Sequence, residues 1–248
     1  MRPDASKKIA KATPKSGPDP VIIGAIIAAV VVVAVVVAIV MGTHGKAGSP
    51  IVATGNPVPV GVVGGSGSGI LANTGTFKSN APTMDLYEDF QCPTCGELEK
   101  AVGTQIRAMA QAGQIKLVIH MMSFLDANLS NDSSTRAANA AACAADAGKF
   151  LPYHAAVFAG QPTKEGGGYT NAQLTAFAKT AGITGTALTT WQKCATSAQH
   201  AQYVTDVETA SGKAGVTGTP TMMLNGKAVT PTPMTPDALA AAVKGATS

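Results

Sequence analysis

The chain has 248 residues, only 13% of them charged and 4% aromatic, with a net charge of +4. The basic residues are scattered, and no basic run carries interleaved aromatics, so nucleic acid is excluded as a partner. Long polar and apolar blocks at the N-terminal end also exclude one globule spanning the whole chain.

Residues 1–20 are polar and Pro-rich, with Arg2, Lys7, Lys8, Lys11 and Lys15 set against Asp4 and Asp19. They predict a disordered tail. Val21 to Met41 then runs without a charged or strongly polar residue, long enough to cross a bilayer as one helix. A cleavable signal has a shorter apolar core and a small-residue cleavage site, and VMGTHGK offers none. No polar face exists at any period, which argues against a buried core helix. Five cations precede the span and only Lys46 follows closely. The positive-inside rule therefore predicts a cytoplasmic N-terminus at the cell membrane, with residues 42–248 extracytoplasmic. Residues 42–69, including GGSGSG at 64–69, lack a sustained period and predict a flexible tether ahead of a domain at 70–248. His44 within it reads as a solvated linker histidine.

Ile70–Lys78 has room for a short first strand. From Thr83 the alternation is clear: Met84, Leu86, Glu88 and Phe90 share one face, Asp85, Tyr87 and Asp89 the other. The strand turns at Gln91 and delivers Cys92-Pro93-Thr94-Cys95 to the start of a helical run. Free backbone N–H groups and the positive end of a helix dipole favour a thiolate at Cys92, which lowers the thiol pKa and makes the sulfur reactive. Cys95, one turn on, is placed to attack a mixed disulfide at Cys92 and release its partner. Pro93 takes the first helical position, where a missing N–H costs nothing. Glu88 is the odd polar member of its face, a candidate proton acceptor for Cys95, unless the strand end is solvated and it is merely exposed. Half a zinc site or a pair of inert surface thiols has the same pattern. Zinc needs a second close pair, which Cys143 and Cys194 do not form, so no metal is expected.

Glu97–Gln111 predicts a helix with Leu98, Val102, Ile106 and Met109 or Ala110 on its apolar stripe, ended by Gly113. The apolar run Ile115–Phe124 suits a strand covered on both faces, and strand, helix, strand makes a parallel βαβ unit. His120 within it reads as a satisfied core or strand-end histidine. Residues 131–214 switch to Ala-rich helical runs. Asp132 or Ser133 caps one helix, Lys149–Ala159 is a second, and Thr170 caps a third. Ala187–Ala195 and Gln199–Ser211 supply more. His154 and His200 read as packing or surface residues. Cys143 and Cys194 both fall in this insertion, and an extracytoplasmic setting with an even cysteine count favours a structural disulfide between them. Beyond it, Gly215–Gly226 reads GVTGTPTMMLNG. Pro220 belongs at a strand start or a cis turn. Met222 and Met223 read as strand core or as a soft surface for varied clients. Asn225-Gly226 predicts a tight hairpin into Lys227–Val229. Thr235-Pro236 opens a final helix over Asp237–Lys244.

Three stretches stand in order around the insertion: YEDFQCPTC at 87–95, FLPYHAAVFAGQP at 150–162 followed by GYTNAQLTAFAKTAGI, and GVTGTPTMMLNG. Over about residues 70–245 the chain resembles the DsbA-like thiol:disulfide oxidoreductases of bacterial cell envelopes, in the thioredoxin superfamily. The resemblance implies an α/β thioredoxin fold with a helical domain inserted at about 131–214, after the βαβ half. It implies that Cys92 attacks and Cys95 is the buried resolving thiol. It matches Pro220 to a cis-proline packed against the active-site disulfide, and Thr219 to a residue whose backbone pairs with an extended substrate. It implies no cofactor, and a DsbB-like or VKOR-like quinone-linked membrane protein as reoxidant. One position departs from the family: Thr94 stands where the best-known strong oxidants carry His, and a hydroxyl stabilises a thiolate less than an imidazole does. The expected function is a membrane-tethered oxidase that donates the Cys92–Cys95 disulfide to secreted or envelope proteins. A reductase or isomerase using the same site, or a peptide-binding factor whose cysteines are all structural, are the alternatives.

Overall fold

The computed structural model describes residues 57–247, apart from 74, 76 and 232. The predicted tail at 1–20, the membrane helix at 21–41 and the first part of the tether, 42–56, lie outside the described residues. Among those described, no helix is long and apolar enough to cross a membrane.

Alternation from Thr83 does what the pattern predicts. Strand β2, Thr83–Glu88, runs up the middle of a sheet formed with β1 (Ile70–Leu71), β3 (Lys116–Met121), β4 (Thr221–Leu224) and β5 (Lys227–Ala228). The order across the sheet is β1-β3-β2-β4-β5. β2 and β3 are parallel, with Leu86 opposite Ile119, and the other pairings are antiparallel. Met84 and Leu86 of β2 and Leu117 and Ile119 of β3 are fully covered, as near-continuous apolar runs in doubly covered strands require. The hairpin β4–β5 turns through Asn225 and Gly226, both at positive φ (49° and 74°), the backbone a two-residue loop demands.

Between β2 and β3 lie α1 (Pro93–Leu98), a π-helical turn (Glu99–Gly103) and α2 (Thr104–Gln111). The helix starts at Pro93, the first helical position expected of it, with Cys92 as its N-cap. The predicted stripe of Leu98, Val102, Ile106, Met109 and Ala110 is buried throughout. The wide turn has no counterpart in the periodicity.

Six helices stand between β3 and β4: α3 (Leu125–Leu129), α4 (Ser133–Asp146), α5 (Phe150–Ala159), α6 (Asn171–Thr180), α7 (Gly185–Thr196) and α8 (Ala201–Lys213), with α9 (Pro236–Ala246) closing the chain's order. α4 is the axis of the insertion. Ala137, Ala138, Ala140, Ala141, Ala142, Ala144 and Ala145 are all buried, and their small side chains let α5, α7 and α8 close on it from several sides. Thr170 and Gln173 form a reciprocal capping box at the start of α6. Cys143 and Cys194 are bonded, with Cα atoms 5.9 Å apart, and staple α4 to α7.

The predicted tether ends sooner than residue 69. His200 Nδ1 lies 2.7 Å from the Pro57 carbonyl, and the Val60 N–H donates to Asp146 Oδ1 at 2.9 Å. Tyr203 donates its hydroxyl to the Ser68 carbonyl at 2.8 Å, and Val62 bridges Ile70. The glycines that read as slack include two turn positions, Gly61 and Gly64, at φ 88° and 119°. His200 therefore fastens this segment to the insertion, with Nε2 2.7 Å from Asp146 Oδ2.

Candidate active site

Strand β2 ends against a turn, Asp89–Gln91, and the next residue, Cys92, is the N-cap of α1 at φ −76°, ψ 116°. That places its sulfur at the mouth of the helix, facing the Thr219-Pro220 loop at the start of β4. The Thr219–Pro220 peptide is cis. Cys92 Sγ lies 3.0 Å from Thr94 Oγ1 and 3.5 Å from the Thr219 carbonyl oxygen. Cys92 and Cys95 are unbonded, Cys92 with 6% of its surface exposed and Cys95 with none.

The two thiols are driven apart in acidity. A hydrogen bond from Cys95 is the main influence holding Cys92 down at about 5 from an ordinary 9.0. Burial opposes it, while the side chains of Thr219 and Thr94 and the Cys95 backbone N–H assist. The Thr219 hydroxyl has no hydrogen-bond partner of its own among the described residues, so it can turn toward the sulfurs. Cys95 moves far the other way, by burial first, then by its hydrogen bond to Cys92 and the charge of Glu88. Cys92 is thus a thiolate at neutral pH and Cys95 is not. Only a hydroxyl hydrogen can bridge Thr94 to a thiolate. Thr94→Val should therefore raise the Cys92 titration by about one pH unit, since hydrogen bonds to charged groups are worth roughly 1.5–3 kcal/mol before solvent takes its share. The rate of alkylation against pH measures it.

Glu88 is fully buried, which removes the reading of it as a solvated strand end. Its Oε2 lies 2.8 Å from His154 Nε2. Burial, then the neighbouring Glu99 charge, push its carboxyl up to about 7. Burial works against a charged His154, but the hydrogen bond and charge of Glu88 outweigh it and the imidazole pKa rises. His154, expected from the sequence to be a packing or surface residue, is instead the buried partner of Glu88. The signal is present, because a carboxyl on an apolar strand face needs a partner, and FLPYHAAVF carries one side chain that can take a positive charge. His120, at the other face, meets Asp85 at 3.0 Å and stacks on Tyr87, while its buried Nδ1 has no hydrogen-bond partner among the described residues.

The insertion grips the turn before Cys92. Gln161, in the loop after α5, donates from Nε2 to the carbonyls of Phe90 and Cys92 at 2.8 and 2.9 Å. Tyr169 donates its hydroxyl to the same Phe90 carbonyl at 2.7 Å. A side chain at Gly96 would meet the Gln161 amide, which would then have to shift. Asp89 accepts from Ser134 Oγ at 2.6 Å and from the Gln91 N–H at 2.8 Å. Sequence reasoning missed Gln161, Tyr169 and Ser134, because each lies far along the chain from its partner.

Burial pushes the Asp89 carboxyl up to about 7 from 3.8, against the hydrogen bonds from Ser134, Gln91 and Leu125. Asp89, Glu88 and His154 all have folded pKa values above their unfolded ones. The native state then holds protons that the unfolded state has released, and stability falls as pH rises through about 7. Urea melts of the oxidised protein between pH 4.5 and 8 should show that decline, and Asp89→Asn should flatten it.

A reactive N-cap cysteine, its buried partner one turn on and a cis-proline loop opposite, carried on this sheet, define a thiol:disulfide oxidoreductase. Residues 78–245 match the family model described as Thioredoxin, and the chain belongs to that family. Among solved structures, reduced DsbA from Mycobacterium tuberculosis is 29% identical, covering 77% of this chain and 92% of its own at a TM-score of 0.57. Reduced DsbG from Mycobacterium tuberculosis is also 29% identical, covering 68% of this chain and 84% of its own at 0.56. The thiol-disulfide oxidoreductase MdbA from Actinomyces oris, 22% identical, shares the fold over 82% of this chain and 97% of its own, with a TM-score of 0.64. No curated protein sequence matches the chain.

Proposed function

We propose that the protein is an extracytoplasmic oxidase that donates its Cys92–Cys95 disulfide to secreted and envelope proteins. The carrying observation is the split between the two sulfurs, with Cys92 held down at about 5 beside Thr219. A stabilised thiolate favours the reduced protein, and a favoured reduced protein makes an oxidising disulfide. In the forward reaction a substrate thiolate attacks Cys92 and expels Cys95. A second substrate thiolate then attacks the substrate sulfur of the mixed disulfide and releases Cys92. Substrates are reduced or misoxidised extracytoplasmic proteins, presenting an extended segment to the backbone of Thr219. The apolar run at 21–41, with cations before it, supports a single-pass anchor and a cytoplasmic N-terminus. The reduced form returns its electrons to a DsbB-like or VKOR-like membrane protein.

Thr94 in place of an imidazole favours a second reading, in which the same site reduces or isomerises disulfides. The redox state in growing cells decides between them. Quenching with acid and alkylating the free thiols should find Cys92 and Cys95 mostly bonded. A mostly reduced pair would transfer the assignment to the reductase.

A further inference from the structure

The loop joining α5 to α6 touches the Cys92 turn at both of its ends. Gln161 Nε2 donates to the Phe90 carbonyl at 2.8 Å and to the Cys92 carbonyl at 2.9 Å. Tyr169 donates its hydroxyl to the Phe90 carbonyl at 2.7 Å. A side-chain amide nitrogen has two hydrogens to give, so Gln161 spends both on this turn. Its oxygen lies against the first turn of α1, at Gly96. The Cys92 carbonyl also accepts from the Gly96 N–H at 3.2 Å, the bond that closes that turn. Helix starts are commonly secured by the N-cap side chain, but Cys92 makes no such bond and Pro93 brings no N–H. The entry to α1 is therefore held from outside the helix. Phe90 has a second side-chain donor in Tyr169. Among the described residues, the Cys92 carbonyl has only Gln161 as a side-chain donor.

We propose that Gln161 is a positioning residue: by holding the Cys92 carbonyl from the helical insertion, it keeps the Cys92 sulfur aligned on the donors that stabilise its thiolate. The proposal rests on the dithiol-exchange reading of the site. Those donors are the Cys95 thiol and backbone N–H, the Thr94 hydroxyl and Thr219. Thr94 and Cys95 stand on the first turn of α1, so their reach to the sulfur depends on how the Cys92–Pro93 peptide is turned. The carbonyl of that peptide is the one Gln161 holds. Without the amide, it keeps only the longer bond from Gly96, and the peptide is free to rotate. Hydrogen bonds weaken steeply as they leave alignment, so a small rotation costs the sulfur its donors. The orientation of the amide is dictated by its partners. Both are carbonyl oxygens, which only accept, so an oxygen in place of Nε2 would repel them. Glu88, the charged side chain bearing on both cysteines, is not touched by Gln161. Gln161 acts through the backbone of Cys92, and its effect is read at the sulfur.

The test is the Cys92 titration in the reduced full-length protein, read as the rate of iodoacetamide alkylation against pH, with the redox equilibrium against glutathione measured in parallel. Wild type is compared with Gln161→Met, which keeps the side-chain length and removes the donors, and with Tyr169→Phe. Gln161→Ala is a second donor-free variant should Gln161→Met fail to fold. The donor-free variant should titrate about one pH unit higher, which slows alkylation about fivefold at pH 5 and leaves it within about twofold of wild type at pH 9. Its Cys92–Cys95 disulfide should be about tenfold less oxidising against glutathione at pH 7, because the reduced protein loses that much thiolate stabilisation. Tyr169→Phe, which leaves the Cys92 carbonyl held, should move the titration by less than half as much. A folded donor-free variant that titrates with wild type would overturn the proposal, and so would an equal shift in Tyr169→Phe. A wild-type thiol that titrates like an ordinary cysteine would instead remove the exchange reading on which the proposal rests.

Discussion

Cys92→Ser should reduce thiol:disulfide exchange to the uncatalysed background, whereas Cys95→Ala, which cannot form the Cys92–Cys95 disulfide, should still attack substrate disulfides through Cys92 and accumulate mixed disulfides. The asymmetry follows from the sulfurs' surroundings. Cys92 has the exposed edge, the Thr94 hydroxyl at 3.0 Å and a titration near 5. At pH 6 such a thiol is about 90% thiolate, against roughly 0.3% for an ordinary cysteine with a pKa near 8.5, so about 300-fold more nucleophile is present. Cys95 is wholly buried and its ionisation is opposed. It attacks Cys92 Sγ only once that sulfur is bonded to a substrate, so its loss removes the escape route and not the encounter. Non-reducing gels of envelope proteins carrying Cys95→Ala should show adducts that vanish with reductant and with the added Cys92→Ser change. Adducts that persist on the double variant would move the reactive centre elsewhere.

Removing the staple in the insertion should cost about 4 kcal/mol, the chain-entropy value for a loop of this length. Cys143 and Cys194 are 51 residues apart in sequence and join α4 to α7. Both are buried, and α4 also carries Ser134, which holds Asp89 ahead of the reactive cysteine. Cys143→Ala with Cys194→Ala should therefore lower the melting temperature by on the order of 10 °C, and loosen the active-site turn as the insertion softens. Urea unfolding of wild type and double variant, with the Cys92–Cys95 pair oxidised in both, reads the difference. A change under about 1 kcal/mol would mean that the Ala-rich packing around α4 carries the insertion without its crosslink.

Local chemistry made half of this site legible in the chain. Cys92, Pro93 and Cys95 announce a helix start because spacing and backbone geometry are short-range. Asn225-Gly226 declares its hairpin for the same reason, and Thr219-Pro220 declares a special peptide. Glu88 drew notice by interrupting an apolar face. What stayed hidden is tertiary. His154 lies 66 residues from the carboxylate it meets, and Tyr169 lies 79 residues from the carbonyl it holds. No local period encodes such pairs. The Gly/Ser stretch at 64–69 misled in the other direction, since composition reports permitted backbone shapes and not whether a neighbour such as Tyr203 captures them. Glu99 was hidden by its helix. A π-helical turn shifts the helical register, and the wheel drawn at the usual period gives no sign that this carboxylate lies near His154.

Selective acidity at the helix mouth is the property on which exchange and its direction both depend. It is measured most directly by the ultraviolet absorbance of the thiolate in the reduced protein, titrated against Cys92→Ser as the blank. The expected curve has its midpoint near 5 and leaves Cys95 silent up to alkaline pH. A midpoint near 9, the ordinary value, would contradict it.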